Sequence, residues 1–191
     1  LDGGTDADTM NGGTGNDTYL VDHSGDLVTE LTAQGVDLVQ SGITTTLTPN
    51  VEKLTLTGTT AINGTGNGMS NTLLGNAYAN KLAGLAGADT LKGNGGSDTL
   101  NGGTGKDILF GGAGNDIFVF NSTLDASTNL DTLKDYSVVA DTIRLENAIF
   151  TAVGAAGALA AAAFAANATG LAGDSTDRVI YQTDTGKLFY D

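Results

Sequence analysis

Asp and Asn side chains recur every nine residues along part of the chain, and they are the groups best suited to chemistry. Residues 66 to 119 fall into rows of nine that each begin with Gly. The sixth residue of each row is always Asn or Asp: Asn71, Asn80, Asp89, Asp98, Asp107 and Asp116. Ligation by oxygen alone is the preference of Ca²⁺ and other hard cations. The pattern therefore predicts a series of calcium sites.

The spacing of these acids also indicates which of them share an ion. If two rows make one coil, Asp residues 18 apart stack at the same edge, about 4.8 Å from one another. Two carboxylates at that distance repel by about 3 kcal/mol at an effective dielectric constant of 20, and a cation between them makes the arrangement attractive. The sites with two carboxylates are Asp89 with Asp107 and Asp98 with Asp116. Weaker sites pair Asn71 with Asp89 and Asn80 with Asp98.

The same phase recurs at the N-terminus. Residues 12–20, GGTGNDTYL, match the rows fully and place Asp17 in the sixth column, whereas residues 3–11 and 21–29 are degenerate copies. Asp8 and Asp26 are again 18 residues apart, which predicts one further calcium site.

The remaining columns describe the elements that must position these acids. The eighth residue of each row is large and apolar: Leu73, Leu82, Leu91, Leu100, Leu109 and Phe118. A strand of about three residues after each Asp would point this residue into the core, while glycines allow tight turns with positive φ. We therefore expect an all-β protein, a parallel β-roll (β-solenoid), with a β-rich C-terminal cap that contains one short helix.

Composition limits the partners. The 191 residues carry a net charge of −14, which excludes nucleic acid and disfavours anionic membranes. Nineteen of the 22 acids are Asp, the short carboxylate that suits turns and cation sites. There is no Cys, and no apolar run long enough for a membrane span or signal peptide. The opening Leu-Asp-Gly-Gly indicates a fragment that begins inside a repeat.

Four segments are expected. Residues 1–29 hold N-terminal repeats, 30–65 form a β insert that continues or flanks the roll, 66–120 form the main roll, and 121–191 cap its apolar end. The insert contains two strand patterns, 36–40 and 51–57, around a turn at 48–50. In the cap, the composition of residues 156–166 predicts a short helix. The patterns at 178–182 and 187–190 predict a hairpin.

Catalysis is not expected from this chain. Its single histidine, His23, lies between Asp22 and Ser24, and adjacency in sequence does not make a catalytic triad. Paired acids could in principle hydrolyse glycosides, but calcium explains the Asp column better.

The repeats resemble those of bacterial RTX (repeats-in-toxin) proteins exported by type I secretion. The rows GGTGKDILF and GGAGNDIFV match the pattern G-G-x-G-x-D-x-U-x, where U is a large apolar residue. The segment DTLKDY…DTIRLE at 131–146 resembles the stretch located after the repeats in many members. The resemblance implies a secreted or cell-surface protein that folds on Ca²⁺ outside the cell and interacts with the type I secretion machinery.

The resemblance also implies a set of ligands. The first, third and sixth residues of one turn, with the second, fourth and sixth of the turn one coil later, would supply oxygens. One such set is Gly84, Ala86 and Asp89 with Gly103, Gly105 and Asp107. The other is Gly93, Gly95 and Asp98 with Gly112, Gly114 and Asp116.

A second class of function stays open at this point. The chain could be a surface adhesin, a carbohydrate-binding unit or a self-assembling surface-layer module, because solenoid ends and edges favour self-association. Size that depends on protein concentration in Ca²⁺, or retention on polysaccharide, would distinguish this class from an export and folding module.

Overall fold

A computed structural model gives the fold of residues 1–123, 128–146, 164–167, 179–182 and 187–190, the last three ranges as backbone strands. The predicted all-β parallel β-roll is confirmed: every regular element in the described part of the chain is a strand. No helix that could cross a membrane occurs among these residues.

The strands form two sheets that face each other across the core, with a small pair at the N-terminal end. The ten-stranded sheet, here the long sheet, contains β2 (Thr18–Val21), β4 (Leu38–Ser41), β6 (Lys53–Leu56), β8 (Thr72–Leu74), β10 (Thr90–Lys92), β12 (Ile108–Phe110), β14 (Thr132–Leu133), β16 (Phe164–Asn167), β17 (Val179–Gln182) and β18 (Lys187–Tyr190). The six-stranded sheet, here the short sheet, contains β5 (Thr45–Thr46), β7 (Gly64–Thr65), β9 (Lys81–Ala86), β11 (Thr99–Thr104), β13 (Ile117–Phe120) and β15 (Thr142–Leu145). The pair consists of β1 (Thr9–Asn11) and β3 (Leu27–Thr29).

Consecutive rows alternate between the two sheets, so strands two rows apart are neighbours. Leu91 in β10 lies opposite Leu73 and Leu109, and Leu100 in β11 lies opposite Leu82 and Phe118, all in parallel register. Residues 18 apart therefore occupy equivalent positions in successive coils, as the nine-residue period predicts.

The eighth column forms the core. Its six members in residues 66–119 are at most 1% exposed, and Met10, Tyr19 and Val28 continue the column at the N-terminus. Because full burial of a large apolar side chain contributes about 1.5 to 3 kcal/mol, this single column supplies much of the drive to fold. Leu133 extends it, and the Tyr136 ring packs edge to face on Phe118 at 6.0 Å.

Residues 38–65 continue both sheets although they lack the repeat. Strand β4 pairs in parallel with β2 and β6, and β6 pairs with β8, so the long sheet runs on without a break. A turn follows Pro49, where Asn50 has a φ of 66°. Alternating apolar residues such as Leu54 and Leu56 fill the core here.

The C-terminal segment adds strands to the same sheets. Strands β14 and β15 pair in parallel with β12 and β13, and β18 pairs antiparallel with β14. The predicted hairpin is confirmed by the antiparallel pairing of β17 with β18. Most of the helix predicted at 156–166 lies outside the described residues. For its last three residues the helix prediction is wrong, because Phe164–Asn167 forms a strand that pairs in parallel with β17.

Candidate metal centre

The sixth-column residues are arranged in two hydrogen-bonded ladders, one at each edge of the roll. The first edge holds the turns that lead into the long sheet, and the second edge holds those that lead out of it. At the first edge, the Asp89 N–H donates to Asp107 Oδ1 at 2.8 Å, and the Asn71 N–H donates to Asp89 Oδ1 at 2.7 Å. At the second edge, Asn80 and Asp98 donate to the next residue of their ladder in the same way, to Asp98 and Asp116.

Each repeat carboxylate keeps one oxygen without a partner. Asp89, Asp98, Asp107 and Asp116 are each about 1% exposed, and the Oδ2 atom of each is buried and accepts no hydrogen bond. A buried, unsatisfied neutral acceptor already costs about 1 to 3 kcal/mol, and a charged one costs more. Four such oxygens in two stacked pairs therefore call for a cation.

Glycine makes room for these carboxylates in the first column. A Cβ placed on Gly84 would collide with Asp89 Oδ2, and one on Gly93 would collide with Asp98 Oδ2. The carboxylate folds back over the first residue of its own turn, which only Gly permits. The prediction that glycine supplies positive φ holds instead for the second and fourth columns, for example Gly105 with a φ of 136°.

Glycines of the second and fourth columns let successive turns stack. A Cβ on Gly103 would overlap the Leu85 carbonyl oxygen, and a Cβ on Gly105 would overlap that of Gly87. Gly112 and Gly114 approach the carbonyl oxygens of Asn94 and Gly96 in the same way. In the first predicted ligand set, the turn with Gly84, Ala86 and Asp89 therefore lies directly against the turn with Gly103, Gly105 and Asp107. In the second set, the turn with Gly93, Gly95 and Asp98 lies in the same way against the turn with Gly112, Gly114 and Asp116.

Burial changes the acidity of these groups. Desolvation raises the pKa of Asp89 to about 7 and that of Asp98 to about 6, and it also raises the pKa of Asp107 and Asp116. Nearby carboxylates add to the effect, Asp107 on Asp89 and Asp116 on Asp98. Burial therefore disfavours the ionised form of all four acids, and a bound cation would offset that cost.

Asn71 and Asn80 behave differently from the Asp residues of their ladders. The Asn71 amide donates to the Val51 carbonyl at 3.1 Å, and the Asn80 amide donates to the Ile62 carbonyl at 2.6 Å. Each side-chain oxygen accepts a backbone N–H from its own turn, from Asn67 and Asn76 respectively. These amide contacts satisfy the polar atoms without a metal, which disfavours the prediction that Asn71 and Asn80 hold calcium.

The N-terminal acids are brought together, but their oxygens are used unequally. The Asp8 N–H donates to Asp26 Oδ1 at 3.1 Å, and the N–H groups of Asp22 and His23 donate to Asp26 Oδ2. Although desolvation opposes them, these hydrogen bonds lower the pKa of Asp26. Asp8 Oδ2 and Asp17 Oδ2 are buried and lack a hydrogen-bond partner, so of these three acids Asp8 and Asp17 are the better candidates for cation binding. His23 lies in an exposed loop, where its Nδ1 accepts the Gly25 N–H.

The ladders extend beyond the predicted residues. Asp131 Oδ1 accepts the Asp107 N–H at 3.1 Å, and Asp141 Oδ1 accepts the Asp116 N–H at 2.9 Å. Burial, with the Asp107 charge nearby, raises the pKa of Asp131 to about 7. From the sequence, these two acids were identified as part of the stretch that follows the repeats, and they were not assigned to the site. Their tripeptides, Asp-Thr-Leu and Asp-Thr-Ile, repeat the Asp-Thr-Leu at 89–91 and 98–100 and could have revealed them.

The fold and the site together define a calcium-binding parallel β-solenoid of nonapeptide repeats. The family model of the RTX calcium-binding nonapeptide repeat matches the chain in four copies, over residues 1–19, 65–100 and 92–122. The chain therefore carries an RTX-type β-roll region, and repeats of this family bind calcium. No curated protein matches the chain.

The described residues fit a calcium ion. The candidate ligands are oxygens only, the partnerless Oδ2 atoms supply the negative charge, and the glycine turns leave space that any Cβ would fill. Calcium bound there would neutralise paired carboxylates from successive turns and so join neighbouring coils.

Proposed function

We propose that the chain is a folding module whose β-roll forms when calcium binds between successive turns. The observation that carries the proposal is the set of four buried Asp side chains, each with one oxygen that accepts no hydrogen bond. Such charges oppose folding when the ion is absent and favour it when the ion is bound, so the metal acts as part of the core. The ligands we assign are the two predicted sets around Asp89 and Asp107 and around Asp98 and Asp116.

The ladders couple these sites to one another. The Asp107 side chain accepts the Asp89 N–H, and the Asp107 backbone N–H donates to Asp131, so one residue is linked to the turn before it and to the turn after it. Extracellular calcium modules bind with dissociation constants of about 10⁻⁴ to 10⁻³ M. At a Ca²⁺ concentration ten times the dissociation constant, each site adds about 1.4 kcal/mol to the free energy of unfolding. Because that free energy is only about 5 to 15 kcal/mol in ordinary domains, several coupled sites can decide whether the chain folds.

We further propose that this switch serves export. RTX repeats occur in secreted bacterial proteins, and the calcium affinities of extracellular modules correspond to concentrations outside cells. The chain would then leave the cell unfolded through a type I secretion system and fold outside. In this scheme residues 1–29 and 66–120 are the calcium-responsive parts, 30–65 joins them, and 121–191 covers the end of the roll.

The test is a calcium titration followed by far-ultraviolet circular dichroism, after treatment with a chelator. We expect a cooperative change from coil to β structure at sub-millimolar to millimolar Ca²⁺, with little response to Mg²⁺, which demands stricter octahedral geometry. Asp98→Asn should shift the midpoint to higher Ca²⁺, and Asp6→Asn, at an exposed turn residue, should not. A β spectrum that chelation leaves unchanged would refute the folding switch and would favour a permanently folded adhesion or assembly scaffold.

Sedimentation in Ca²⁺ at several protein concentrations separates the export module from that alternative. A module that only folds on calcium should keep one size at all concentrations. A surface-layer module should form larger assemblies as the protein concentration rises. A carbohydrate-binding module should be retained on a polysaccharide column.

A further inference from the structure

The turn between β3 and β4 departs from the nonapeptide pattern. Glu30 stands at its first position, where the repeats have Gly, and Asp37 ends it, 20 residues after Asp17 rather than 18. The turn still stacks on the one before it, since the Gly15 N–H donates to the Gln34 carbonyl at 2.6 Å. Glu30 thus places a side chain at the position where the nonapeptide turns of the first edge have glycine.

Three carboxylates converge at this turn. One oxygen from each of Asp17, Glu30 and Asp37 lies within 4.8 Å of the other two. Glu30 is 5% exposed and Asp37 is 1% exposed. Asp17 Oδ2, Glu30 Oε2 and Asp37 Oδ2 are all buried and accept no hydrogen bond.

The other oxygens of Glu30 and Asp37 are held in place. Asp37 Oδ1 accepts the Asp17 N–H at 2.8 Å, and Glu30 Oε1 accepts the hydroxyl of Tyr19. The Tyr19 oxygen in turn accepts the Gly12 N–H at 2.8 Å. Tyr19 is fully buried in the Leu column, so the core itself positions the Glu30 carboxylate. The group is therefore pre-organised rather than a cluster of solvated surface acids.

We propose that Asp17, Glu30 and Asp37 form a separate site for one divalent cation of the calcium type. The donors are oxygens only, and the chain has no Cys and a single His, which disfavours zinc and other transition metals. Three carboxylates face one another here, against two in the repeat sites, and affinity for Ca²⁺ rises with ligand charge. The site therefore fills at lower Ca²⁺ than the repeats and fixes the N-terminal coils first.

This site does not depend on the proposed folding switch of residues 84–116, because Glu30 and Asp37 lie outside the nonapeptides. Its neighbour Tyr19 also provides a local probe, since a tyrosine close to bound Tb³⁺ transfers its excitation energy to the ion. We would titrate the chelator-treated chain with Tb³⁺, excite tyrosine, and then displace Tb³⁺ with Ca²⁺ or Mg²⁺.

We expect strong Tb³⁺ luminescence that Ca²⁺ displaces and Mg²⁺ does not. Tyr19→Phe should remove most of the luminescence while the calcium-induced circular dichroism signal remains. Glu30→Gln, which keeps an oxygen acceptor for Tyr19, should weaken ion binding about tenfold. The control Glu146→Gln makes the same change in charge at an exposed position after β15 and should leave affinity unchanged. Asp107→Asn should impair the repeats yet retain the Tyr19 luminescence, which keeps the two proposals distinguishable.

Equal ion affinity in Glu30→Gln and Glu146→Gln would overturn the proposal. If Glu30→Gln gives no β spectrum in Ca²⁺, Tyr19→Phe decides the question. Luminescence that survives in folded Tyr19→Phe would place the ion elsewhere, and its loss would support the site.

Discussion

Replacing Asp107 by Asn should have opposite effects on stability in calcium and in chelator. Asp107 is about 1% exposed, and its Oδ2 accepts no hydrogen bond, whereas its Oδ1 accepts the Asp89 N–H at 2.8 Å. Asparagine retains the Oδ1 acceptor and removes the charge. In chelator the substitution therefore relieves a buried, unpaired carboxylate, and we expect a gain of about 1 to 3 kcal/mol in the free energy of unfolding.

In calcium the same change weakens the assigned site that Asp107 shares with Asp89, and we count the continuation of the ladder from Asp107 to Asp131 as a second site that it weakens. At ten times the dissociation constant each site contributes about 1.4 kcal/mol, so the expected loss is up to about 3 kcal/mol. For a domain of this size that corresponds to a fall in melting temperature of about 6 to 12 °C. The gain in chelator and the loss in calcium differ in sign, which no simple packing defect would produce.

Asp107→Asn would be unfolded with urea in Ca²⁺ and, because the chain is expected to be mostly unfolded in chelator, folded there with an osmolyte such as trimethylamine N-oxide, with Asp6→Asn as the exposed control in both. The reasoning is refuted if Asp107→Asn loses the same free energy under both conditions. In that case the carboxylate would stabilise the turn through hydrogen bonds alone.

Three further outcomes are expected from the site. In chelator, β content should be highest below the ordinary carboxyl pKa of about 3.9 and should fall as pH rises through about 7, because burial raises the folded-state pKa of Asp89 and Asp131 to about 7. Calcium should abolish that fall, and a circular dichroism titration in chelator that shows no loss between pH 4 and about 7 would contradict the argument. Asn71→Asp should destabilise the roll in chelator by about 1 to 3 kcal/mol and increase its response to calcium in melting experiments, since it replaces an amide that donates to the Val51 carbonyl by a second acid beside Asp89. Gly84→Ala should destabilise the roll by about 1 to 3 kcal/mol both in calcium and in chelator, because its Cβ meets Asp89 Oδ2. Gly68→Ala should be tolerated, because its Cβ meets nothing within 4 Å. Equal melting temperatures for the two variants in calcium would contradict the steric argument.

The nine-residue period was sufficient to predict the register and the core. Each row places one apolar residue such as Leu91 opposite its counterpart two rows away, and local pairing rules then determine the parallel sheets. The period fails where turns lengthen, because Asp131 comes 24 residues after Asp107 and a fixed-spacing search passes over it. The ladder depends on turn stacking rather than on a constant count.

Ligand identity was harder to predict than register. A column that accepts both Asn and Asp suggests one role, yet the Asn80 amide donates to the Ile62 carbonyl while the Asp98 carboxylate lacks a partner for Oδ2. Glu30 gave no repeat signal, since its role depends on the longer turn and on the buried hydroxyl of Tyr19 in an earlier turn. Such contacts depend on which side-chain atoms meet between turns, and spacing alone does not encode them.

The alternation of rows between two sheets also constrains how such a chain changes length. Loss of a single nine-residue row would transfer every later strand to the opposite sheet and every later acid to the opposite edge. Loss or duplication of two rows leaves each Asp above its former partner and each Leu in its column, as between Leu91 and Leu109. The roll can therefore be shortened or extended in whole coils of 18 residues, so the structural unit is the coil rather than the single nonapeptide.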